Sequence, residues 1–217
     1  MRVLCITDIH GYREKFEQIL RHEREPDLLI IGGDFTNFGP MPEAESLLDL
    51  ALLYCPKVFA VAGNCDSADI DAMLRRRGVS LHAFGQQFNE IGFFGLSAMP
   101  PWRGDMYEFS ETQLNRFLAQ GYEYVQTNQR LIMVTHPPPH DTRVDHNNGN
   151  KHVGSTSVRA WMEKTKPALV VCGHIHEARG LDEWQNTKIV NCGPSKQGYY
   201  AVAEVGEHVK VELKQMV

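Results

Sequence analysis

The chain has 217 residues, 42% of them hydrophobic and 23% charged, with a formal net charge of −5. That length supports a single domain, spanning 1–217, with a full core, and the composition is ordinary for a globular protein. The acidic balance excludes a basic footprint, and with it tight duplex nucleic-acid binding. No apolar stretch approaches the ~20 residues that span a bilayer, and the chain opens into a hydrophobic strand rather than a secretory leader. Its five cysteines include no CxxC spacing. These features predict a cytoplasmic protein with reduced thiols, no disulfides and no membrane partner; a homodimer is left open.

The first half alternates strand and helix. Strands are expected at Arg2–Thr7, Asp27–Ile31 and Lys57–Ala62. Helices are expected at Arg13–Arg24, at Pro42–Leu53 with proline in its first turn, and at Asp69–Arg77, closed by Gly78. This βαβαβα order implies a largely parallel sheet with right-handed crossovers. Ser80–Ser97 reads as strands with a turn, followed by a Pro/Gly-rich loop at Met99–Asp105. A helix starts at Ser110, where Ser110 and Gln113 form a capping box. After a strand at Leu131–Val134, Pro137–Gly154 is a long polar loop rich in His, Asp and basic residues. Loops beyond ~12–15 residues are often lids or binding segments. A helix near Ser155–Lys164, a strand at Ala168–Cys172 and antiparallel strands over Lys188–Lys214 complete the chain. Periodicity alone says α/β.

Short polar clusters stand at the ends of these hydrophobic runs: Asp8-Ile9-His10, Gly32-Gly33-Asp34, Gly63-Asn64-Cys65-Asp66, Thr135-His136-Pro137 and Gly173-His174-Ile175-His176. Strand ends of this kind gather along one rim of a sheet. Imidazole, carboxylate and carboxamide together suit Mn, Fe, Zn, Ni or Co better than Ca or Mg alone. Taken singly, Asp8 and Asp34 could cap loops, Asn64 could hold a turn, and His174 and His176 could face opposite sides of a strand.

The ordered pattern D-x-H, G-D, G-N-x-D, H, G-H-x-H resembles the calcineurin-like metallophosphoesterases, from Asp8 to His176. The Gly63-Asn64-Cys65-Asp66 variant is similar to small prokaryotic members with Cys where most of the family has His. The resemblance implies two packed mixed β-sheets flanked by helices, a four-layer αββα sandwich. It implies two divalent transition-metal ions, with manganese favoured. Asp8, His10 and His176 would hold one ion, and Asn64, His136 and His174 the other. Asp34 would bridge the two. A metal-activated hydroxide would attack a small phosphate ester.

In most of the family the residue after the Asn is a His that contacts phosphate and is oriented by the following acid. Here Asp66 remains, but a thiol replaces the imidazole. A neutral thiol offers no cation to a dianionic monoester, so diesters are the expected substrates. Alternatively, Cys65 only fills space and His140 or His152 does the work. Monoesters, nucleotide pyrophosphates and a non-catalytic scaffold role, as for the retromer protein of this fold, are the competing readings. Trp102 and Arg103 either form the opposite rim or pack the insertion down. Asn37 either reaches the phosphate region or forms a turn.

Overall fold

The computed structural model describes residues 1–216. Eleven strands form two sheets. The first sheet is built on β1 (Arg2–Ile6), β2 (Leu28–Gly32) and β3 (Val58–Val61), parallel and adjacent. Helices α1 (Arg13–His22) and α2 (Met41–Tyr54) connect them, and α3 (Ala68–Arg76) follows β3. The second sheet pairs β4 (Gly85–Phe88) antiparallel with β5 (Ile91–Leu96), then runs parallel through β6 (Arg130–Thr135), β7 (Leu169–Cys172) and β9 (Thr187–Asn191). Its far edge is β8 (Gly180–Trp184), antiparallel to β9. Helices α4 (Glu111–Glu123) and α5 (Thr156–Thr165) belong to this half. The chain then returns to the first sheet, where β10 (Tyr199–Val205) pairs antiparallel with β1 and β11 (Val209–Gln215) closes the edge.

Alternation in buried strands sorts the side chains into layers. Val3, Cys5, Leu28, Ile30, Phe59 and Val61 face Phe93, Ile132, Val134, Leu169 and Val171 across the gap between the sheets. The opposite faces of the same strands meet the helices: Leu4, Ile6, Leu29 and Ile31 pack on Phe16, Ile19, Leu47 and Leu48. Phe94, Met133 and Val170 pack on Leu114, Leu118, Val158 and Trp161. The result is the expected αββα sandwich. The capping box also forms: Ser110 Oγ accepts from the Gln113 amide, and the Gln113 side chain reaches back to the Ser110 amide.

Three expectations need correction. Ser80–Ala83 forms only isolated bridges, to Ala60 and Gly95, and the strand begins at Gly85. β8 was not foreseen, because Gly-Leu-Asp-Glu-Trp is a half-exposed edge with no apolar run. The sequence after Lys188 is not wholly antiparallel, since β9 lies parallel to β7.

Phe59 and Phe93 lie with ring centroids 4.9 Å apart, each fully buried between the sheets. Phe59→Ala is expected to cost about 3–5 kcal/mol, read as a lower denaturant midpoint with an unchanged slope. A loss under about 1 kcal/mol would mean the two sheets are not held by this contact.

Candidate metal centre

Every cluster picked out in the sequence leaves the C-terminal end of a parallel strand. Asp8, Asp34 and Asn64 follow the neighbours β1, β2 and β3, while His136 and the His174–His176 segment follow the neighbours β6 and β7. Facing sheets thus bring two rims together. Backbone bonds beyond the strands lock them: the Asp8 amide donates to Gly33 C=O (2.9 Å), the His10 amide to Asp34 C=O (2.9 Å) and the Gly173 amide to His136 C=O (3.1 Å). Asp8, His10, Asp34 and His174 all have positive φ, between 51° and 68°. Left-handed backbone costs a non-glycine residue about 1–2 kcal/mol, and four such residues at one rim fit a functional site. Gly63 must be glycine, because a Cβ there would collide with the Asp34 carboxylate; at Gly173 a Cβ would collide with that of Asp8.

The ligand atoms converge. His10 Nε2 lies 3.2 Å from His176 Nε2 and 3.8 Å from Asp34 Oδ2. His176 Nε2 lies 3.2 Å from Asp8 Oδ1. His136 Nε2 lies 2.8 Å from Asn64 Oδ1 and 3.5 Å from Asp34 Oδ2. Two ligands about 2.0–2.2 Å from one ion sit about 3.0–3.4 Å apart, a range that the His10–His176 and Asp8–His176 spacings meet, while His136 and Asn64 stand at hydrogen-bonding distance. Asp34 touches both sets, as a bridge requires. Asp8 and Asp34 are buried, at 0% and 2% exposure, and their ion-pair contacts among the described residues are all to histidine. Two buried carboxylates with no Lys or Arg beside them fit a site completed by cations. His10 Nδ1 is also buried without a partner.

The rings are prepared for coordination. His136 Nδ1 lies 2.9 Å from Gly32 C=O; donation to that carbonyl leaves Nε2 free to bind. Burial, with His136 and His176 nearby, pushes His174 down to about 3, so it is neutral. His174 stands beside His136, ring centroids 5.1 Å apart, and donates its amide to the Asp8 carboxylate.

Cys65 lies at the centre. Its thiol is within reach of His10 and Asp34, and its amide donates to Asp34 Oδ1 at 2.7 Å. Burial and the Asp34 charge push the thiol well above its ordinary range. Asp66 points elsewhere: its carboxylate accepts from the amides of Phe35 (3.1 Å), Thr36 (2.9 Å) and Gly63 (2.9 Å) and from the Thr36 hydroxyl (3.2 Å). Burial and Asp34 push it up to about 7, against the pull of those amides. It staples the Asp34 loop to the Asn64 loop.

His140 is half-exposed and makes no side-chain hydrogen bond among the described residues. Trp102 is 69% exposed with the Arg103 guanidinium stacked on it, so it does not pack the insertion down. Asn37 is exposed. The Asn191–Ser195 turn is scaffold: the Asn191 amide group donates to Val144 C=O and Ile175 C=O, and the Ser195 amide to Thr7 C=O. Several neighbours escaped the sequence reading. Met106 Sδ lies 3.4 Å from Asn64 Nδ2. Lys196, in the turn Ser195–Gln197, is close enough to His10 for its charge, after burial and against the nearby carboxylates, to help lower that ring's pKa. Neither carries a motif; Lys196 is recognisable only once β10 is seen beside β1.

Residues 1–178 match the calcineurin-like phosphoesterase family, and the chain belongs to it. Membership implies a metal-dependent phosphohydrolase with a binuclear divalent metal centre. An uncharacterized protein of Methanocaldococcus jannaschii is 31% identical over 208 residues, 92% of this chain and 90% of that one. Among solved structures, TT1561 of Thermus thermophilus superposes with a TM-score of 0.77 at 14% identity, covering 99% of this chain and 98% of that one. A dimetal phosphatase from Danio rerio superposes at 0.65 and 12% identity, covering 99% and 96%. At these identities the two structures share the fold with this chain. No helix among the described residues is long and apolar enough to cross a membrane.

A cation filling this centre should stabilise the fold. Manganese at about 100 times its dissociation constant adds about 2.7 kcal/mol per site, a rise of several degrees in melting temperature. Asp34→Asn should lose most of that rise. A melting temperature indifferent to manganese in the wild-type protein would contradict the site.

Proposed function

We propose that the chain is a phosphodiesterase acting on a small phosphate ester, with Asp8, His10 and His176 on one ion, Asn64, His136 and His174 on the other, and Asp34 on both. Manganese is the favoured ion, with Fe, Ni, Zn or Co as alternatives. Bound ions would supply positive charge for the phosphate oxygens and lower the pKa of water. The chain's own part is to fix the ion spacing through Asp34, to hold Asn64 against His136, and to keep both rims dry beneath the phosphate. The Danio rerio relative in fold is a dimetal phosphatase by description, which supports the reaction class.

The observation that carries the diester reading is Cys65. It stands where most of the family has a cationic imidazole, it is buried, and its thiol is neutral. A diester bears one negative charge and needs a facing cation less than a dianionic monoester does. Asp66 supports the reading from behind, holding the loop rather than meeting substrate. A scaffold role has less behind it, because no ligand position has decayed. Five free, buried cysteines support a reducing, cytoplasmic setting.

Two experiments test this. Asp34→Ala and His136→Ala should abolish metal-stimulated hydrolysis while circular dichroism stays native, with Asp34→Ala the more damaging because it disconnects both ions. Full activity in either variant would refute the assignment. Cys65→His should raise monoester kcat/KM relative to diester kcat/KM. A positioned imidazole supplies up to about 10²–10⁴-fold, and a smaller gain is expected in a loop shaped for a thiol. An unchanged ratio with metal still bound would show that Cys65 does not set the preference.

A further inference from the structure

The polar loop after His136 is not structureless. It folds around Asp145, which is fully buried. The Asp145 carboxylate accepts from the amides of Asp141 (3.1 Å), Thr142 (3.0 Å) and Gly154 (3.1 Å), and from His152 Nδ1 (2.6 Å). The amide of Val153 also donates to Asp145 C=O (3.0 Å). His152 is therefore held twice by one residue, through its ring and through the next peptide. The first hold places a proton on Nδ1 and leaves Nε2 as the working end. The exposed carboxylate of Asp141 approaches Nε2 at 3.4 Å, and the ring is one-third exposed.

The loop that carries this dyad is anchored to the segment that carries His174 and His176. Asn191 Nδ2 donates both to Val144 C=O (3.2 Å) and to Ile175 C=O (2.9 Å), and Ile175 separates His174 from His176. The Asn148 amide donates to Glu177 Oε1 (3.1 Å), next to His176. Between these two anchors sits His146, which pairs with His152 across an antiparallel bridge, ring centroids 4.0 Å apart. The segment bearing His152 is thereby docked on the segment that supplies two metal ligands.

Asp145, His146 and His152 also offer ligand atoms within 4.8 Å of one another, but they do not read as a third metal site. A separation of 2.6 Å is a hydrogen bond; two ligands on one ion sit about 3.0–3.4 Å apart. The Asp145 oxygens are already engaged by three amides. What remains is an imidazole oriented by a buried carboxylate, the arrangement of a general acid.

We propose that His152, oriented by Asp145, donates the proton to the leaving alcohol in the hydrolysis assigned to the metal centre, the task Cys65 cannot perform. The inference rests on the phosphodiesterase reading. In the step, a water oxygen forms its bond to phosphorus and gives up one proton to solvent, the ester P–O bond breaks, and the leaving oxygen takes the Nε2 proton. The imidazole regains its proton from solvent. The groups facing the ring are Asp145, Asp141, His146 and His140, with Glu177 beyond Asn148. The hydrogen bond to Asp145 leads in raising the His152 pKa; burial opposes it, and the charges of Asp145 and Asp141 add to the rise. The protonated form is thus favoured relative to a free imidazole. His140 lacks such a partner; its ring lies 5.7 Å from that of His152.

The test compares two diesters that differ in need for an acid: bis(4-nitrophenyl) phosphate, whose leaving group departs unaided, and diphenyl phosphate, whose leaving group does not. Wild-type protein and His152→Gln are assayed with manganese, and bound metal is measured in both. The expected result is a loss of about 10²-fold in kcat/KM for the phenyl ester, with little change for the nitrophenyl ester, equal metal content and loss of the alkaline limb of the phenyl-ester pH profile. Asp145→Asn should show the same selectivity, because Asp145 acts through His152. Equal losses on both esters, or none, would overturn the inference while leaving the phosphodiesterase reading intact. Wild-type protein inert towards both esters would overturn the two together.

Discussion

Two carboxylates, Asp8 and Asp34, are buried at the meeting edge of two sheets, and among the described residues their ion-pair contacts are all to histidine. Most of the local structure follows from that constraint. A buried charge must be paired, and no Lys or Arg among the described residues forms an ion pair with either carboxylate. The chain supplies imidazoles, a carboxamide and two glycines that let backbones approach. The left-handed turns at Asp8, His10, Asp34 and His174 cost energy that the sandwich must supply. The fully buried layer between the sheets and the two helix-facing layers supply it. The fold holds the strained rim in place; bound cations would relieve its charge.

The same arrangement separates holding from reacting. Asp66 uses its carboxylate on three amides, Gly32 uses its carbonyl on His136, and Asp145 uses its carboxylate on its own loop. Each fixes a neighbour without itself facing substrate. This division explains why an acid kept beside Cys65 need not keep its partner imidazole: Asp66 holds the loop whichever residue stands at position 65.

The candidate site was legible in the sequence because each proposed ligand ends a hydrophobic run, and strand ends in a parallel sheet share a rim. Asp8, Asp34 and Asn64 could be ordered this way before any coordinates. What the sequence withheld was contact across the sheets. Nothing in the string places Lys196 near His10, or Asn191 beneath both Val144 and Ile175. β8 was missed for a different reason, since a half-exposed edge strand needs no apolar run. The loop from Pro137 to Gly154 looked irregular because its order comes from one buried carboxylate, a signal with no periodicity.

The central claim is that Asp34 joins two cation sites into one centre. Calorimetric titration of metal-free protein with manganese, checked by elemental analysis after removal of excess ion, tests it most directly. The account predicts two ions per chain in the wild-type protein and fewer in Asp34→Ala. Saturation at a single ion per chain, under excess manganese and with the fold intact, would contradict it.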